Sequence, residues 1–523
     1  MRLTSFVIFL FFSQITMAQQ YTWSGVISEL IYENCSSCHH EGGIAPFNLM
    51  SYEDAVANSE EIEHQVSERE MPPWPANPEY MHFANESYLE ETEIEAIQWW
   101  IQNDMPLGDE DQVPSAPVFE ENGSLLETID FSIEIDEYTL QSNTDEFRWF
   151  AFENPFDEDI YIHKLEVLAG NQNVVHHADL YYDTSGNTMN LDNQDPLSGF
   201  NGSTGFPSLS YYINAWQPGG NIVEYPENWG FKVPAGADFV VEIHYAPDHI
   251  GEIDQTKMNL QFLINPAEPR ELAASWLMGH SAPTLIDGPL FIPANETRTF
   301  HQVTAPIEND LSVVSICPHM HFIGSSYKVW YTDPDGVDHP LIDIPRWDLH
   351  WQKYYVFQTV KHIPAGSVLK SIGFYDNTLE NHDNPFNPPQ DVALGAGTYD
   401  EMFLCYFIYS EYQEGDEHII MDEDLITSVE YNDLTLEVPN PGELTIFPNP
   451  TSEFLHVYAE GVIPHSLKIE ITDLAGNLMP LKESYEWSNS GNLKFDVSSL
   501  SSGIYILNSI SNGYVSRNKF IKI

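Results

Sequence analysis

The pattern of apolar and polar positions changes along the chain. In residues 20 to 112 apolar side chains recur at helical spacing, as they do from Glu90 to Asn103. From Ile129 to about residue 432, short alternating segments end at Pro, Gly, Asn or Asp, which is typical of antiparallel strands and turns. Short strands with Gly turns follow residue 441. The sequence therefore predicts a multidomain protein, with a small all-α domain followed by antiparallel β-sandwiches.

The length agrees with such a division, because 523 residues are more than one domain with a single hydrophobic core usually contains. We expect two jelly-roll-like β-sandwiches in the long β region and a small β-sandwich at the C-terminus. The predicted segments are a signal peptide (1–19), a helical domain (20–112), a linker (113–127), a first β-sandwich (128–268), a second β-sandwich (269–432) and a C-terminal domain (441–523).

The first residues have the pattern of a secretory signal peptide, namely Arg2, an apolar run from Phe6 to Phe12 and the small-residue end Met17-Ala18-Gln19. No later stretch is apolar for long enough to span a bilayer, so no transmembrane helix is expected. The net charge of −61, from 80 acidic against 19 basic residues, would repel phosphate groups. This charge excludes nucleic acid as an expected partner.

A haem attachment motif follows the first predicted helix, Trp23 to Tyr32. In Cys35-Ser-Ser-Cys38-His39 the two thiols can form thioethers with haem vinyl groups, while His39 binds the iron. The alternatives are a short-loop disulfide and a zinc site that uses His39 and His40. The sequence favours a covalently bound c-type haem.

Such a haem needs a sixth iron ligand, and Met71 is the preferred candidate because the rigid Pro72-Pro73 would fix a loop beside the iron. Through Gly42 to Phe47 and Met71 to Trp74, residues 20–112 resemble the small class I cytochrome c modules that bacteria fuse to other enzymes. The resemblance implies a cytochrome domain with His39 and Met71 as axial ligands.

Two histidines two positions apart end the apolar segment that begins at Leu311. Side chains two apart on a strand point to the same face, so His319 and His321 would present two imidazoles together. Met402, in the β-type segment from Tyr399 to Cys405, would add a thioether, and this donor set suits copper that cycles through Cu(I).

Three further histidines lie on two other predicted strands, Asn173 to Tyr182 and Phe239 to Tyr245. They are His176, His177 and His244, and three imidazoles can hold a second copper ion. The remaining histidines lack comparable partners in the sequence and are interpreted as structural.

Together these six residues resemble the copper type II, ascorbate-dependent monooxygenases, the family of peptidylglycine α-hydroxylating and dopamine β-monooxygenases. In that family His-His and the His of a His-Tyr pair hold the electron-transfer copper, and here these positions are His176, His177 and His244. His-x-His and the Met of Asp-Glu-Met hold the oxygen-activating copper, and here these are His319, His321 and Met402. All six occur in the family's order.

The resemblance implies a secreted enzyme that hydroxylates a C–H bond of a small organic substrate with O2. Its cofactors would be two copper ions and one covalent haem per chain, with two electrons from ascorbate or another donor. The fusion of a haem domain, and not the family resemblance, motivates the hypothesis that the haem passes electrons singly to the three-His copper, in place of or alongside free ascorbate. A secreted copper and haem electron-transfer or copper-binding protein without hydroxylase activity is the alternative, and a haem-bearing surface adhesin is another.

Two positions bear on the substrate and on disulfide bonding. Tyr406, four residues after Met402, is a candidate substrate contact by the resemblance. Cys317 stands where peptide-amidating members carry an arginine, which argues against a glycine-extended peptide as substrate. Once Cys35 and Cys38 are assigned to haem, Cys317 and Cys405 remain, and these two could pair beside the second copper site.

Residues 441–523 resemble the C-terminal sorting domain of type IX secretion substrates. The resemblance rests on Phe447-Pro-Asn-Pro450, Asp473-Leu-Ala-Gly476 and Leu500-Ser-Ser-Gly-Ile-Tyr505. It implies the type IX secretion machinery as a partner and a secreted or cell-surface location. A carbohydrate-binding β-module is the alternative interpretation of this segment.

Overall fold

In the computed structural model the chain divides into two compact units, residues 1–422 and 423–523. The structure describes residues 21–41, 43, 45–119, 124–126, 128–202, 210–216, 222, 225–263, 268–421, 445–447, 454–458, 467–473, 486–487, 492–497, 500, 503–511 and 514–522. The predicted signal peptide and the residues between 432 and 441 lie outside them. Most of the described secondary structure is β-sheet, which is consistent with several β-sandwich domains. Of the helices described, none has the length and apolar character to cross a membrane.

The N-terminal part of the first unit carries most of the described helices. It contains a π-helical turn (Trp23–Ile27), α1 (Ser28–Asn34), α2 (Tyr52–Ala57), α3 (Ser59–Ser67) and α4 (Glu91–Gln102). A capping box joins Glu90 and Glu93 at the start of α4, which satisfies backbone N–H groups that the helix leaves free. The apolar face of α4 packs on Trp23 and α3. The helix predicted over Glu90 to Asn103 is therefore present with nearly the expected bounds.

The first β-sandwich pairs two five-stranded sheets, with strand orders β1-β11-β4-β8-β12 and β6-β3-β9-β5-β7. Its elements are β1 (Phe131–Glu134), β2 (Tyr138–Thr139), β3 (Glu146–Phe152), β4 (Ile160–Leu168), β5 (Val175–Asp183), α5 (Asn187–Gln194), β6 (Phe200–Asn201), β7 (Ser210–Trp216), β8 (Trp229–Val233), β9 (Asp238–Tyr245), β10 (Ile253–Asp254), β11 (Lys257–Phe262) and β12 (Arg270–Glu271). Alternate residues of β9, such as Val241 and Ile243, enter the core. The intervening Glu242 and His244 therefore point to the outer face of the second sheet.

The second β-sandwich pairs two four-stranded antiparallel sheets, with orders β13-β22-β16-β19 and β15-β20-β17-β18. Its elements are β13 (Ala273–Met278), β14 (Phe291–Ile292), β15 (Thr297–Val303), β16 (Leu311–His319), β17 (Gly324–Thr332), β18 (Asp338–Ile344), a 3-10 turn (Leu349–Trp351), β19 (Tyr355–Ile363), β20 (Val368–Asp376), β21 (Val392–Ala393) and β22 (Leu404–Glu411). Ile316 and Phe407 lie in the core of this sandwich. Val314 and Ile408, from the same strands, join the core of the first sandwich. The two sandwiches therefore pack through the sheet that contains β16 and β22.

This arrangement separates the two cysteines that the sequence left available for a disulfide. Cys317 lies opposite Tyr406, and Cys405 lies opposite Pro318, one position away. Neighbouring positions on a strand point to opposite faces, so Cys317 belongs to the first core and Cys405 to the second. Both are buried free thiols, and the pairing considered for them is not formed.

The second unit contains two antiparallel sheets, with orders β23-β24-β27-β26 and β25-β28-β29. Its strands are β23 (Thr445–Phe447), β24 (Phe454–Tyr458), β25 (Leu467–Asp473), β26 (Glu486–Trp487), β27 (Asn492–Asp496), β28 (Gly503–Ser511) and β29 (Tyr514–Lys522). Leu455 and Val497, on or beside the first sheet, and Ile471 and Leu507, from the second, are buried. Two sheets with buried apolar side chains agree with the small β-sandwich expected here.

Candidate metal centres

The first cluster of histidines depends on a β-bulge in β5. Val175 pairs with Tyr245 and His177 with His244, so His176 is an extra residue between two pairs. Such a bulge interrupts the strict alternation of side chains along a strand. Adjacent His176 and His177 thereby reach the same side as His244, and one ring nitrogen from each lies within 4.8 Å of the others.

The nitrogen atoms of this cluster are arranged for a shared ion. His176 Nδ1 lies 3.2 Å from His177 Nδ1. His244 donates from Nε2 to Asp145 Oδ1 at 2.8 Å, and its buried Nδ1 has no hydrogen-bond partner among the described residues. A buried nitrogen lone pair without a donor is costly unless something binds it. The three Nδ1 atoms therefore fit a soft or borderline cation such as copper.

Burial keeps His176 and His177 in the neutral form that binds metals. Removal from water lowers the pKa of His176 to about 3 and that of His177 well below its ordinary value. Burial acts in the opposite sense on Asp145, but hydrogen bonds from His244 and Thr398 outweigh it and lower the pKa of this carboxyl to about 2. Asp145 thus stays ionised and fixes the orientation of the His244 ring.

The second pair of histidines lies where β16 ends. The sequence predicted His319 and His321 on one strand, but the strand ends at His319 and His321 follows in the turn. The two Nε2 atoms nevertheless lie 3.2 Å apart. His319 Nδ1 donates to Gln352 Oε1, and His321 Nδ1 donates to the Asp400 carbonyl at 3.1 Å. These bonds leave both Nε2 lone pairs directed at the same point.

Burial also keeps this second pair neutral. It lowers the pKa of His319 to about 4 and that of His321 well below its ordinary value. Neutral imidazoles with their Nδ1–H groups already bonded are the usual state of metal-binding histidines.

Met402 precedes β22, which begins at Leu404, and so lies in a loop instead of the strand predicted for it. Its backbone is nevertheless fixed to the second histidine pair. The fully buried Glu401 accepts hydrogen bonds from the N–H groups of both His321 and Met402. Tyr375 donates to the Met402 carbonyl at 2.8 Å. These contacts hold Met402 beside the two imidazoles.

Both donor clusters open onto one cavity of about 510 Å3 between the sandwiches, and Met402 also lines it. Tyr406, the predicted substrate contact, lies on its wall and packs against Trp276 and Tyr212 at 5.8 Å between ring centroids. The cavity is also lined by Asp145, Asp179, Glu242, Gln352 and Tyr354. All six predicted copper ligands therefore line one cavity.

Two carboxyl groups lie on the wall of this cavity. The Tyr181 hydroxyl lies within hydrogen-bond distance of both Asp179, at 3.2 Å, and Glu242, at 3.1 Å. Burial raises the pKa of Asp179 to about 7 and that of Glu242 to about 8. The pair can therefore hold or release a proton near neutral pH inside the cavity.

The haem attachment motif lies just after α1. Cys35 and Cys38 are free, partly exposed thiols. His39 Nδ1 donates to the Phe47 carbonyl at 2.9 Å, which leaves Nε2 available to bind iron. Met71 lies on the wall of a separate cavity of about 590 Å3. Among the described residues that line that cavity, neither cysteine of the motif nor His39 appears.

Sequence reasoning missed the residues that orient the ligands. These are Asp145, Gln352, Asp400 and Glu401. The first two lie 99 and 33 residues from the histidines they bond. Asp400 and Glu401 immediately precede Met402 in the sequence. Glu401 acts through its carboxylate, so an acidic side chain beside a predicted ligand was the available signal for it, whereas Asp400 acts through its backbone carbonyl, for which the residue type gives no signal.

Comparison with known proteins identifies one segment. Residues 445–523 match the family described as "Secretion system C-terminal sorting domain". This match agrees with the type IX assignment, and it indicates export, with secretion or a cell-surface location, through the corresponding machinery. Among curated proteins, none matches the chain significantly.

Solved structures give only distant likenesses. PNGase F, a glycosylasparaginase from Flavobacterium meningosepticum, is 8% identical over 54% of this chain and 97% of its own, with a TM-score of 0.23. PNGF-II is 8% identical over 54% of this chain and 66% of its own, with a TM-score of 0.24. The BSP domain of a biofilm-associated protein is 7% identical over 78% and 84%, with a TM-score of 0.14. Likenesses at these scores carry no functional argument.

Proposed function

We propose that the chain is a secreted, copper- and haem-dependent monooxygenase that hydroxylates a C–H bond of a small organic substrate. It would use O2 and two electrons from ascorbate or another donor. The observation that carries the proposal is the presence of two unequal clusters of soft donors on the walls of one cavity. A single cavity can hold a substrate between the two sites.

The two clusters would hold coppers with different roles. His176, His177 and His244 would hold the electron-transfer copper, in keeping with three similar imidazole donors. The His319 and His321 pair with Met402 would hold the oxygen-activating copper, because a weak thioether favours Cu(I) and three protein ligands leave a position open. When bound, the two ions supply one-electron chemistry and O2 reduction.

The protein's own part is to orient ligands and to manage protons. Asp145 and Gln352 fix the ring positions of His244 and His319, so little reorganisation accompanies metal binding. The Asp179 and Glu242 carboxyls can exchange protons with the cavity near neutral pH. Tyr406 would contact the substrate from the wall.

The helical segment before the sandwiches would act as a cytochrome c domain. Cys35 and Cys38 would form thioethers to the haem, and His39 would bind the iron through Nε2. Met71 is the second axial ligand that the resemblance implies, although it lines a cavity whose described residues do not include Cys35, Cys38 or His39. The prolines that follow Met71 support a defined loop conformation there.

The direct test is copper content together with 18O2 labelling of the full chain. We expect two coppers and one haem per chain, and 18O in the product from at least one compound in a panel of small organic molecules that fit the cavity. Met402→Ile should abolish product formation but retain haem. Met189→Ile, on α5 and outside the cavity lining, is the matched control.

Absence of copper from the purified full chain would overturn the proposal. Copper-loaded protein that oxidises ascorbate with no 18O in any product would favour the electron-transfer alternative.

A further inference from the structure

A row of aromatic side chains runs along the wall of the shared cavity. Its members are Trp276, Tyr406, Tyr212 and Tyr354, and all four line the cavity. The first three come from β13, β22 and β7, and Tyr354 lies just before β19. Indole and phenol rings give up a single electron more readily than aliphatic side chains or the phenyl ring of Phe. The row can therefore carry single electrons.

Each ring of this aromatic row contacts the next. Trp276 lies opposite Tyr406 in the pairing of β13 with β22, and their ring centroids are 5.8 Å apart. The centroids of Tyr406 and Tyr212 are also 5.8 Å apart. Rings at such separations are in packing contact. The Tyr212 and Tyr354 hydroxyls lie 2.8 Å apart, which is hydrogen-bond distance. The row is therefore continuous from Trp276 to Tyr354.

The two ends of the aromatic row lie in different surroundings. Tyr354 comes two residues after Gln352, which accepts the hydrogen bond from His319 Nδ1 and also lines the cavity. Trp276 is 46% exposed, and no other tryptophan whose exposure the structure describes is as exposed. It lies on β13, an edge strand of its sheet. The row thus leads from the neighbourhood of the second histidine pair to the protein surface.

A site that reduces O2 needs such a route when substrate is absent. Reduction of O2 without a C–H bond to attack leaves an oxidising equivalent at the site. The susceptible ligand there is Met402, whose thioether oxidises to the polar sulfoxide. The sulfoxide would no longer supply the soft sulfur donor. An electron supplied by the protein removes the oxidising equivalent before that damage occurs.

We propose that the aromatic row is a protective electron path, which supplies electrons from the surface at Trp276 to the Met402 site when no substrate is bound. The inference rests on the proposed function, because that function is the source of the oxidant. The partner at the surface end is a small one-electron donor of the ascorbate class, and the exposed Trp276 is where it would make contact.

The path transfers electrons, and no bond between heavy atoms forms or breaks. The Met402 site gains one electron, each ring in the row is oxidised and then reduced by the next, and Trp276 ends one electron short. The indole N–H of Trp276 releases its proton to water, and a proton from water balances the charge gained at the site. Ascorbate then returns one electron and one proton to Trp276 and becomes the ascorbyl radical.

The first test uses the full chain without copper, so it does not depend on the proposed function. Pulse radiolysis in azide solution generates azide radicals, which oxidise accessible tryptophan, and Trp276 is the most exposed tryptophan described. Absorption then follows the tryptophan radical and the tyrosyl radical. We expect the tryptophan signal to decay as the tyrosyl signal rises, at a rate independent of protein concentration.

Two variants locate the path, and a third is the matched control. Trp276→Phe should lose the tyrosyl rise, because the entry point is gone. Tyr406→Phe should form the tryptophan radical but retain it, because the next ring cannot be oxidised. Tyr211→Phe should behave as the natural protein does, since Tyr211 is next to Tyr212 on β7 but stacks on Tyr182 outside the cavity lining. A natural tyrosyl rise in either Trp276→Phe or Tyr406→Phe would overturn the proposal.

The second test uses the copper-loaded chain with ascorbate and O2 but no organic substrate. Peptide mass spectrometry measures the sulfoxide formed at Met402 for each O2 consumed. We expect more Met402 sulfoxide per O2 in Tyr212→Phe and Trp276→Phe than in the natural protein or in Tyr211→Phe. Equal Met402 oxidation in all four proteins would overturn the protective role. A chain that consumes no O2 would overturn the proposed function and the protective role together, whereas radical transfer without copper is decided by the first test alone.

Discussion

Asp145 provides a sharp test of how the three-His site is built. Its carboxylate accepts a 2.8 Å hydrogen bond from His244 Nε2, and the two side chains are only 16% and 2% exposed. Asp145→Asn keeps the size and an acceptor oxygen but removes the negative charge. Loss of an outer partner of a metal-binding histidine typically weakens metal binding about 10- to 100-fold.

We expect the weakening of copper binding in Asp145→Asn to lie near the upper end of that range. His244 is too buried for water to replace the lost charge, so we expect copper binding to weaken about 100-fold, or about 2.7 kcal/mol. Competition with a copper chelator, followed by EPR of each site, measures the effect. The His319 copper should keep its affinity.

Thr398→Val is the matched control. Thr398 also donates to Asp145, but its loss leaves the bond between Asp145 and His244 in place. This variant should bind copper at the three-His site nearly as the natural protein does. Natural affinity in Asp145→Asn, or equal weakening at both copper sites, would refute the reasoning.

Three further predictions concern other parts of the chain. Asp416 accepts hydrogen bonds from Arg270 through both carboxyl oxygens. Asp416→Asn should lower the free energy of unfolding of the first unit in urea by about 3 kcal/mol, because the buried charge of Arg270 then lacks its partner. Burial raises the pKa of Asp416, but hydrogen bonding by Arg270 outweighs burial and keeps this pKa below 3.8. The difference in unfolding free energy between Asp416→Asn and the natural protein should therefore be largest above pH 4 and should vanish as the carboxylate is protonated at lower pH. Joint Cys35→Ala and Cys38→Ala replacement should abolish haem staining on a denaturing gel with copper content unchanged, and retained stain would contradict thioether attachment. Removal of residues 445–523 should keep the protein in the periplasm of a type IX host, and its appearance in the medium on immunoblots would contradict the sorting role.

Local patterns in the sequence were sufficient to find the elements that carry the donors. Runs of β-forming apolar residues located β9 and β16, and helical spacing located α4. The apolar and turn pattern also indicated several β-sandwiches. These features depend on residues that are close together in the sequence, so the sequence alone is sufficient to predict them.

Features set by strand pairing could not be predicted. The bulge at His176 exists only because β5 pairs with β9 in that register. The opposite faces of Cys317 and Cys405 follow from the pairing of β16 with β22. Asp145 meets His244 from 99 residues away. Such contacts depend on how distant strands align, and a pattern within one strand does not encode them.

X-ray diffraction at the copper and iron absorption edges from crystals of the full chain tests the central claim most directly. We expect two copper peaks in one cavity, one beside His176, His177 and His244 and the other beside His319, His321 and Met402. We also expect one iron peak beside His39. Crystals of protein grown with copper that show no copper peak at either cluster would contradict the claim.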